Sequence, residues 1–265
     1  MPDPASLLPH LVAIAAEAGA RIIAIRQRPH AVAGKADGSP VTEADLAAEA
    51  VIAAGLAQVA PGIPVVSEED AHRPAPPGDG AFLLVDPLDG TREFLGQSGE
   101  FTVNIALIEG GRPVCGVVYA PALSRIWRGA VGHGAEHAVL PPGADAGAAA
   151  WTPSLARPRP DEGWTAVASR SHLDAETRDF LARLPVAESR SIGSSLKFCL
   201  VADGEADVYP RFGPTCEWDT AAGQAVLEAA GGRVTRPDGA PFLYGKAAQG
   251  YRNGPFVAWG REPGR

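Results

Sequence analysis

The sequence predicts an α+β protein made of two halves with different patterns. Apolar residues recur at helical spacing over the first sixty residues. Four apolar runs lie between residues 81 and 130, separated by Gly-Gly and Ala-Pro turns that are typical of antiparallel strands. Beyond residue 165, strand-like and helix-like segments alternate. Helices packed on a sheet, followed by an α/β segment, are therefore expected.

The composition is that of a globular protein with a proper core. The chain has 265 residues, of which 46% are hydrophobic and 20% charged. A net charge of -8 argues against binding to nucleic acid or to an anionic membrane. Three scattered cysteines favour a reducing compartment. We expect a cytoplasmic protein with no leader and no apolar run of about twenty residues for membrane insertion, its oligomeric state left open.

The elements of the first half follow from periodicity and capping. Helical spacing predicts a helix over residues 5–27, ended by Arg28 and Pro29. A second helix is expected to start at Thr42, which forms a capping pattern with Asp45, and to close near Pro61. The apolar runs predict consecutive antiparallel strands at Phe82–Val85, Phe101–Ile108, Val114–Tyr119 and Arg125–Ala130.

A stretch rich in Ala, Pro and Gly from Pro141 to Pro160 predicts a domain boundary near Ala148. The halves would span residues 1–147, with most metal ligands, and 148–265, with Asp219 and a nucleotide pocket. The elements predicted in the second half are strand Thr165–Ala168, helices Asp174–Leu184 and Ser194–Ala202, strand Ala206–Tyr209, helix Asp219–Ala230 and strand Phe256–Trp259.

Acidic residues stand at three separate places next to these elements. Glu68 follows a short apolar run, Asp86 and Asp89 follow Phe82–Val85, and Asp219 opens a helix. Magnesium prefers carboxylate and carbonyl oxygens. Turn formation by Asp-Pro and Asp-Gly, or helix capping, explains each acid singly, but not why apolar strands deliver several acids. We therefore expect a two-ion site bridged by Asp86.

The turn after Asp86 adds backbone groups to this site. The carbonyl of Leu88 would be an uncharged metal ligand, and amides of Gly90 and Thr91 would hold a phosphate, because glycine lets the main chain approach closely. Asp45 with Thr91 would orient the attacking water. Simple helix capping explains the Thr42 and Asp45 pair equally well.

A second group of residues predicts an anion pocket. The segment Ser191–Lys197 combines serine hydroxyls and free amides with the charge of Lys197. Arg170, His172 and Arg211 are further cations in this half. An ordinary serine-capped helix and solvated surface side chains are the alternatives.

Three motifs together resemble the inositol monophosphatase-like superfamily of lithium-sensitive, magnesium-dependent phosphatases. They are Ser67-Glu68-Glu69-Asp70, Asp86-Pro87-Leu88-Asp89-Gly90-Thr91 and Trp218-Asp219-Thr220-Ala221-Ala222-Gly223. Within that superfamily the chain is most similar to bacterial 3′(2′),5′-bisphosphate nucleotidases of sulfur assimilation. Four stretches carry this likeness: residues 39–42 with Asp45, 99–108, 169–172 and 191–215.

The resemblance implies a layered α-β-α-β-α sandwich and a division of roles. Glu68, Asp86 and the Leu88 carbonyl would hold one magnesium ion, and Asp86, Asp89 and Asp219 the other. Glu68 would also reach the nucleophilic water through a third ion, if one acts. The residues implied to face the substrate are Gly90, Thr91, Arg170, His172, Ser194, Lys197, Arg211 and Asp219.

The resemblance further implies hydrolysis of the 3′-phosphate of adenosine 3′,5′-bisphosphate (PAP), with 3′-phosphoadenosine 5′-phosphosulfate (PAPS) as a candidate second substrate. One alternative is an inositol monophosphatase or broad sugar phosphatase with the same metals. Another is a non-catalytic phosphate-ligand sensor, which would require a broken set of acids. Every expected acid is present here.

Overall fold

Two large sheets separated by helices organise the described residues, and two short two-stranded sheets add to them. The computed structural model describes residues 3–29, 31–34, 40–70, 80–96, 98–171 and 173–262. In these ranges six α-helices form: α1 Pro4–Arg26, α2 Glu43–Val59, α3 Thr91–Leu95, α4 Ala175–Leu181, α5 Leu196–Ala202 and α6 Ala221–Ala229. The strands of the first half are β1 Val32–Gly34, β2 Pro40–Thr42, β3 Val65–Ser67, β4 Phe82–Asp89, β5 Thr102–Glu109, β6 Arg112–Ala120, β7 Arg125–Ala130, β8 Gly134–Val139 and β9 Thr152–Ser154. Those of the second half are β10 Trp164–Ser169, β11 Val186–Ile192, β12 Val208–Arg211, β13 Thr215–Cys216, β14 Arg233–Thr235, β15 Arg252–Asn253 and β16 Phe256–Trp259.

The first sheet has seven strands in the order β3-β4-β5-β6-β7-β8-β9. Strands β4 to β9 pair antiparallel in sequence, whereas β3 pairs parallel to β4. The four predicted antiparallel strands are therefore confirmed. The parallel pair matters for the site, since β3 and β4 run toward the same edge of the sheet. Glu68 directly follows β3 there, and Asp86 and Asp89 lie in the last part of β4.

The second sheet has five strands in the order β11-β10-β12-β16-β14. Its β10 is parallel to β11 and β12, and β16 is antiparallel to β12 and β14. This mixed pairing fits the alternation of helices and strands expected in the second half.

The helices form three layers around the two sheets. Helices α1 and α2 pack together and against the first sheet, and α6 packs against strands β5, β6 and β7. Helix α5 contacts α6 and also β10, β12 and β16, and α4 packs against β12. Separate apolar clusters fill the spaces between these layers. The layered α-β-α-β-α architecture is confirmed.

Helix α1 corrects one expectation from the sequence. Pro4–Arg26 has 23 residues and a mean hydropathy of 1.5 in its most apolar stretch, so by length and composition it could cross a bilayer. Half of that stretch is buried inside the protein. Leu11, Ala15, Ala18 and Ile22 are fully buried against the first sheet, so core packing accounts for the apolar character of this helix.

Other differences concern segments whose pattern was weak. Strands β8, β9 and β11 were not predicted, because short or largely exposed strands show little apolar alternation. Strand β9 joins the first sheet although it lies beyond Ala148; the division at that residue stays a prediction. Asp219 lies just before α6 rather than inside it, because Thr220 is the N-cap.

Candidate active site

Three of the predicted acids meet at one place. Glu68 lies in a 3₁₀ turn directly after β3, Asp86 lies in β4, and Asp219 precedes α6. One carboxylate oxygen from each lies within 4.8 Å of the other two. The parallel register, which sets Ser67 beside Val85, brings Glu68 and Asp86 to the same sheet edge. The third acid comes from the other half of the chain.

The end of β4 is irregular, and the irregularity shapes the site. Pairing with β5 shifts register between Asp86 and Asp89. The Leu88 amide donates to Asp86 Oδ1 over 3.0 Å, while the Leu88 side chain is buried in the core. Gly90 has φ of 92°, and a Cβ there would lie 3.2 Å from the Glu100 carbonyl oxygen. Only glycine fits this turn without strain.

Asp89 and Asp219 lie close enough to affect one another's protonation. Burial raises the pKa of Asp89, opposed by the positive charge of Lys197. Burial also raises the pKa of Asp219 well above its usual value, and the negative charges of Asp89 and Glu68 raise it further. The Cys216 amide donates to Asp219 Oδ2 over 2.7 Å. Carboxylates crowded in this way repel one another unless a cation lies between them.

The chemistry of these side chains suits a metal ion. The cluster offers only carboxylate oxygens. These ligands suit magnesium better than they suit softer metals. Among the residues that the structure describes, no histidine or cysteine belongs to the cluster formed by Glu68, Asp86 and Asp219. The acids open onto a cavity of about 570 Å³, large enough for a nucleotide-sized ligand. The residues present therefore fit magnesium.

Two of the four cations predicted for the second half, Lys197 and Arg211, line the same cavity. Lys197 and Arg211 are only 3% and 7% exposed. Lys197 Nζ donates to the carbonyls of Ile192 and Ser194 and lies 5.1 Å from the ring centroid of Tyr209. Burial lowers the pKa of Lys197 to about 8, although the charge of Asp89 opposes the shift. Lys197 is therefore mostly protonated at neutral pH.

The remaining predicted residues divide into those inside the cavity and those away from it. The predicted residues that line it are Glu68, Asp86, Leu88, Asp89, Gly90, Thr91, Ser194, Lys197, Arg211 and Asp219. Ser194 has φ of 46°, a strained value for a residue with a side chain and typical of functional loops.

Arg170 and Asp45 do not line the cavity. Arg170 Nη2 donates to Glu100 Oε1 and to the Ser191 carbonyl, each over 2.8 Å. Asp45 Oδ2 accepts hydrogen bonds from the amide and hydroxyl of Thr42, so the capping box is present. His172 lies outside the described residues. The roles predicted for these three residues stay predictions.

Sequence reasoning missed several polar residues at the site. Ser195 Oγ lies 2.7 Å from Asp89 Oδ2, and Asn104 Nδ2 lies 2.9 Å from Ser195 Oγ. Glu93 lines the cavity and accepts a hydrogen bond from Ser171. Ser195 stands in the same motif as Ser194, but spacing alone did not distinguish the two serines. Asn104 carried no signal, because it interrupts an apolar strand only once.

The fold and this carboxylate site define a class of protein. The inositol monophosphatase family profile matches residues 3–255, and the chain belongs to that family. Among solved structures, CysQ from Bacteroides thetaiotaomicron, described as a bacterial member of this family, is 37% identical with a TM-score of 0.81, and the match covers 96% of both chains. An inositol monophosphatase from Anabaena is 28% identical with a TM-score of 0.73, covering 97% of this chain and 91% of that one.

Curated relatives are more specific. The chain is 46% identical to the 3′(2′),5′-bisphosphate nucleotidase CysQ of Shigella flexneri over 251 residues, which cover 90% of this chain and 94% of that protein. It is 45% identical to the 3′(2′),5′-bisphosphate nucleotidase CysQ of Escherichia coli K12, with the same coverage.

Proposed function

We propose that this chain is a magnesium-dependent 3′(2′),5′-bisphosphate nucleotidase that hydrolyses PAP to AMP and phosphate, with PAPS as a second substrate. One observation carries the proposal: the cluster of Glu68, Asp86 and Asp219 opens into the same cavity as Lys197 and Arg211. Full-length similarity to enzymes named for this activity agrees with that geometry.

The carboxylates would hold two magnesium ions, with a third as an open alternative. Glu68, Asp86 and the Leu88 carbonyl are assigned to one ion, and Asp86, Asp89 and Asp219 to the other. Bound magnesium supplies positive charge for the phosphoryl oxygens and activates water at neutral pH. The role of this chain is to keep these oxygens clustered despite their mutual repulsion.

We assign the scissile phosphate to the residues at the start of α3. Thr91 lines the cavity, and α3 packs against β2, which ends at Thr42. Asp45 is held by two hydrogen bonds from Thr42. We assign Thr91 to contact the attacking water, Asp45 to act through Thr91, and the Gly90 and Thr91 amides to hold the phosphate. The water oxygen bonds to phosphorus as the bond from phosphorus to O3′ breaks. The water gives up one proton and O3′ takes up one proton, so the products are AMP and phosphate.

The buried cations explain selection of a bisphosphate. A substrate with two phosphate groups carries more negative charge than a monophosphate. The metal cluster would bind one of these groups, so the second group needs other cations. Lys197 and Arg211 lie in the same cavity and offer positive charge to the second group, with Ser194 as a hydrogen-bond partner. Because both cations are buried, solvent screens this attraction less than at a surface.

The substrate is thus a small nucleotide, and no nucleic acid or membrane enters the proposal. Cytoplasmic location is part of it: Cys115, Cys199 and Cys216 are thiols rather than members of a disulfide, which suits a reducing compartment.

Phosphate release from a substrate panel tests the function. PAP, PAPS, AMP and inositol 1-phosphate are each assayed with magnesium and again after chelation. PAP is expected to give the highest kcat/KM, and chelation is expected to abolish release from every substrate. Faster hydrolysis of inositol 1-phosphate than of PAP would instead favour an inositol monophosphatase.

A further inference from the structure

Ser195 sits at the contact between the metal ligands contributed by the two halves. Its hydroxyl oxygen lies 2.7 Å from Asp89 Oδ2 and 2.7 Å from the backbone carbonyl oxygen of Asp219. Asn104 Nδ2 lies 2.9 Å from the same hydroxyl and 3.4 Å from Asp89 Oδ2. Ser195 and Asn104 are 2% and 1% exposed, so water competes little for these contacts.

Helix capping does not explain Ser195. It is the N-cap of α5, a position where a serine side chain normally accepts a hydrogen bond from a backbone amide of the first turn. Here the side chain makes no such bond. The hydroxyl is directed instead to Asp89 Oδ2 and to the backbone carbonyl of Asp219. Ser195 therefore does not cap α5 with its side chain.

Asn104 also costs stability where it stands. It occupies the site opposite Asp86 on the neighbouring strand. Its Nδ2 contacts Ser195 and Asp89, yet within the described residues its buried Oδ1 has no hydrogen-bond donor. An unsatisfied buried acceptor opposes folding. The rest of the network thus holds the amide with Nδ2 toward the carboxylate, since the reverse orientation would set oxygen against oxygen.

The Ser195 hydroxyl contacts both residues and can donate its single proton to either of them. Asp89 Oδ2 and the Asp219 carbonyl both accept, and a hydroxyl donates to one acceptor at a time. Asn104 supplies the donor that fixes the Ser195 oxygen between them. Movement of either Asp89 or the start of α6 therefore breaks a contact shared with the other.

We infer that Ser195 and Asn104 are positioning residues that hold Asp89 and Asp219 in register for magnesium across the two halves of the chain. The inference rests on the proposed function, since it concerns the same metal site. Groups that orient metal ligands typically contribute tenfold or more to metal affinity.

Calorimetric titration of the full chain with magnesium alone, without substrate, is the test. Ser195→Ala is expected to raise the magnesium Kd about tenfold or more. Its activity should be low at limiting magnesium and recover at saturating magnesium, with the KM for PAP unchanged there. Asn104→Ser, whose side chain is too short to reach Asp89, is expected to raise the Kd as well.

Ser154→Ala is the matched control. Ser154 is 1% exposed and donates to Asp203 Oδ1 over 2.6 Å, a buried serine-to-carboxylate hydrogen bond outside the cavity of the acids. It should lose thermal stability and keep the wild-type magnesium Kd.

An unchanged Kd in Ser195→Ala, with a stability loss like that of Ser154→Ala, would overturn the inference and leave the proposed function standing. If Ser195→Ala does not fold, an unchanged Kd in Asn104→Ser overturns it. Failure of the wild-type chain to bind magnesium would overturn the proposed function itself.

Discussion

Individual residues at the site are buried ionisable side chains, which lower the stability of the folded protein when they carry an unpaired charge. Asp89 and Asp219 have raised pKa values because of burial, and for Asp219 also because of neighbouring carboxylates. Lys197 keeps an ammonium group at 3% exposure. A cation beside the carboxylates and an anion beside Lys197 would each stabilise these charges, which is the pattern expected of a binding site.

Asp89→Asn is the sharpest change at this scale. The amide keeps the size of the side chain but removes the charge that the metal requires. We expect kcat to fall about 100-fold or more, and the thermal unfolding midpoint of the chelated protein to stay the same or rise, because repulsion with Asp219 is relieved. Steady-state kinetics and thermal denaturation measure the two effects. Wild-type kcat in this variant would contradict the ligand role of Asp89.

Lys197→Met tests the selectivity for a bisphosphate. Methionine fills the buried space of the lysine stem but carries no charge. The expected result is a rise in KM for PAP of about tenfold, with a much smaller change for adenosine 3′-monophosphate, which carries the scissile phosphate but not the second one. Arg236→Met is the control, because it removes one positive charge from an exposed ion pair with Asp238. Equal losses on both substrates would remove Lys197 from the second phosphate.

At the scale of elements, the site depends on how α6 approaches the first sheet. Gly116 lies in β6, and a Cβ there would lie 2.9 Å from Ala222 Cα and 3.0 Å from the Ala222 carbonyl oxygen. These are backbone atoms of α6, which cannot move aside as a side chain would. Asp219 precedes this helix, so the close approach also sets the position of a proposed metal ligand.

Gly116→Val is therefore expected to destabilise the protein by about 1–3 kcal/mol through overpacking and to weaken magnesium binding by displacing α6. Urea denaturation and calorimetry measure the two effects. Gly254→Val serves as the control, because nothing lies within 4 Å of a Cβ at Gly254. If Gly116→Val keeps wild-type stability, the helix is not held at this distance.

The elements also show how far the sequence could go. Helix α2 was predicted at its true start because Thr42 and Asp45 form a local capping pattern. The strand predicted from the sequence ends at Val85, whereas β4 continues to Asp89. The proline and glycine after Asp86 are typical of a turn, so the sequence does not indicate a strand that continues through a register shift. The sequence does not reveal the contacts of Ser195, because its partners Asn104 and Asp89 lie 91 and 106 residues away. Local chemistry is visible in sequence; contacts between distant segments are not.

At the scale of the whole molecule, the proposed metal site joins the two halves of the chain. Asp86 and Asp89 lie in β4, Glu68 directly follows β3, and Asp219 lies in the segment before α6. Helices α5 and α6 lie between the two sheets, so displacement of these layers would separate the ligands. Folding brings the acids together against their repulsion, and metal binding is expected to return that free energy as stability.

The effect of magnesium on stability should therefore depend on pH. The folded-state pKa values of Asp89 and Asp219 are raised, so from about pH 4 upward the chelated native state binds more protons than the unfolded state, and its stability falls as pH rises through the raised values. Bound magnesium offsets the negative charge and removes this loss. At a magnesium concentration 100 times its Kd the linkage is worth about 2.7 kcal/mol, or about 5 °C in the unfolding midpoint. Thermal denaturation with magnesium and with chelator measures the effect. The difference between the two unfolding midpoints should be small near pH 5 and larger at about pH 7.5. A difference that stays constant with pH, or that sodium chloride of equal ionic strength reproduces, would contradict a carboxylate metal site shared by the two halves.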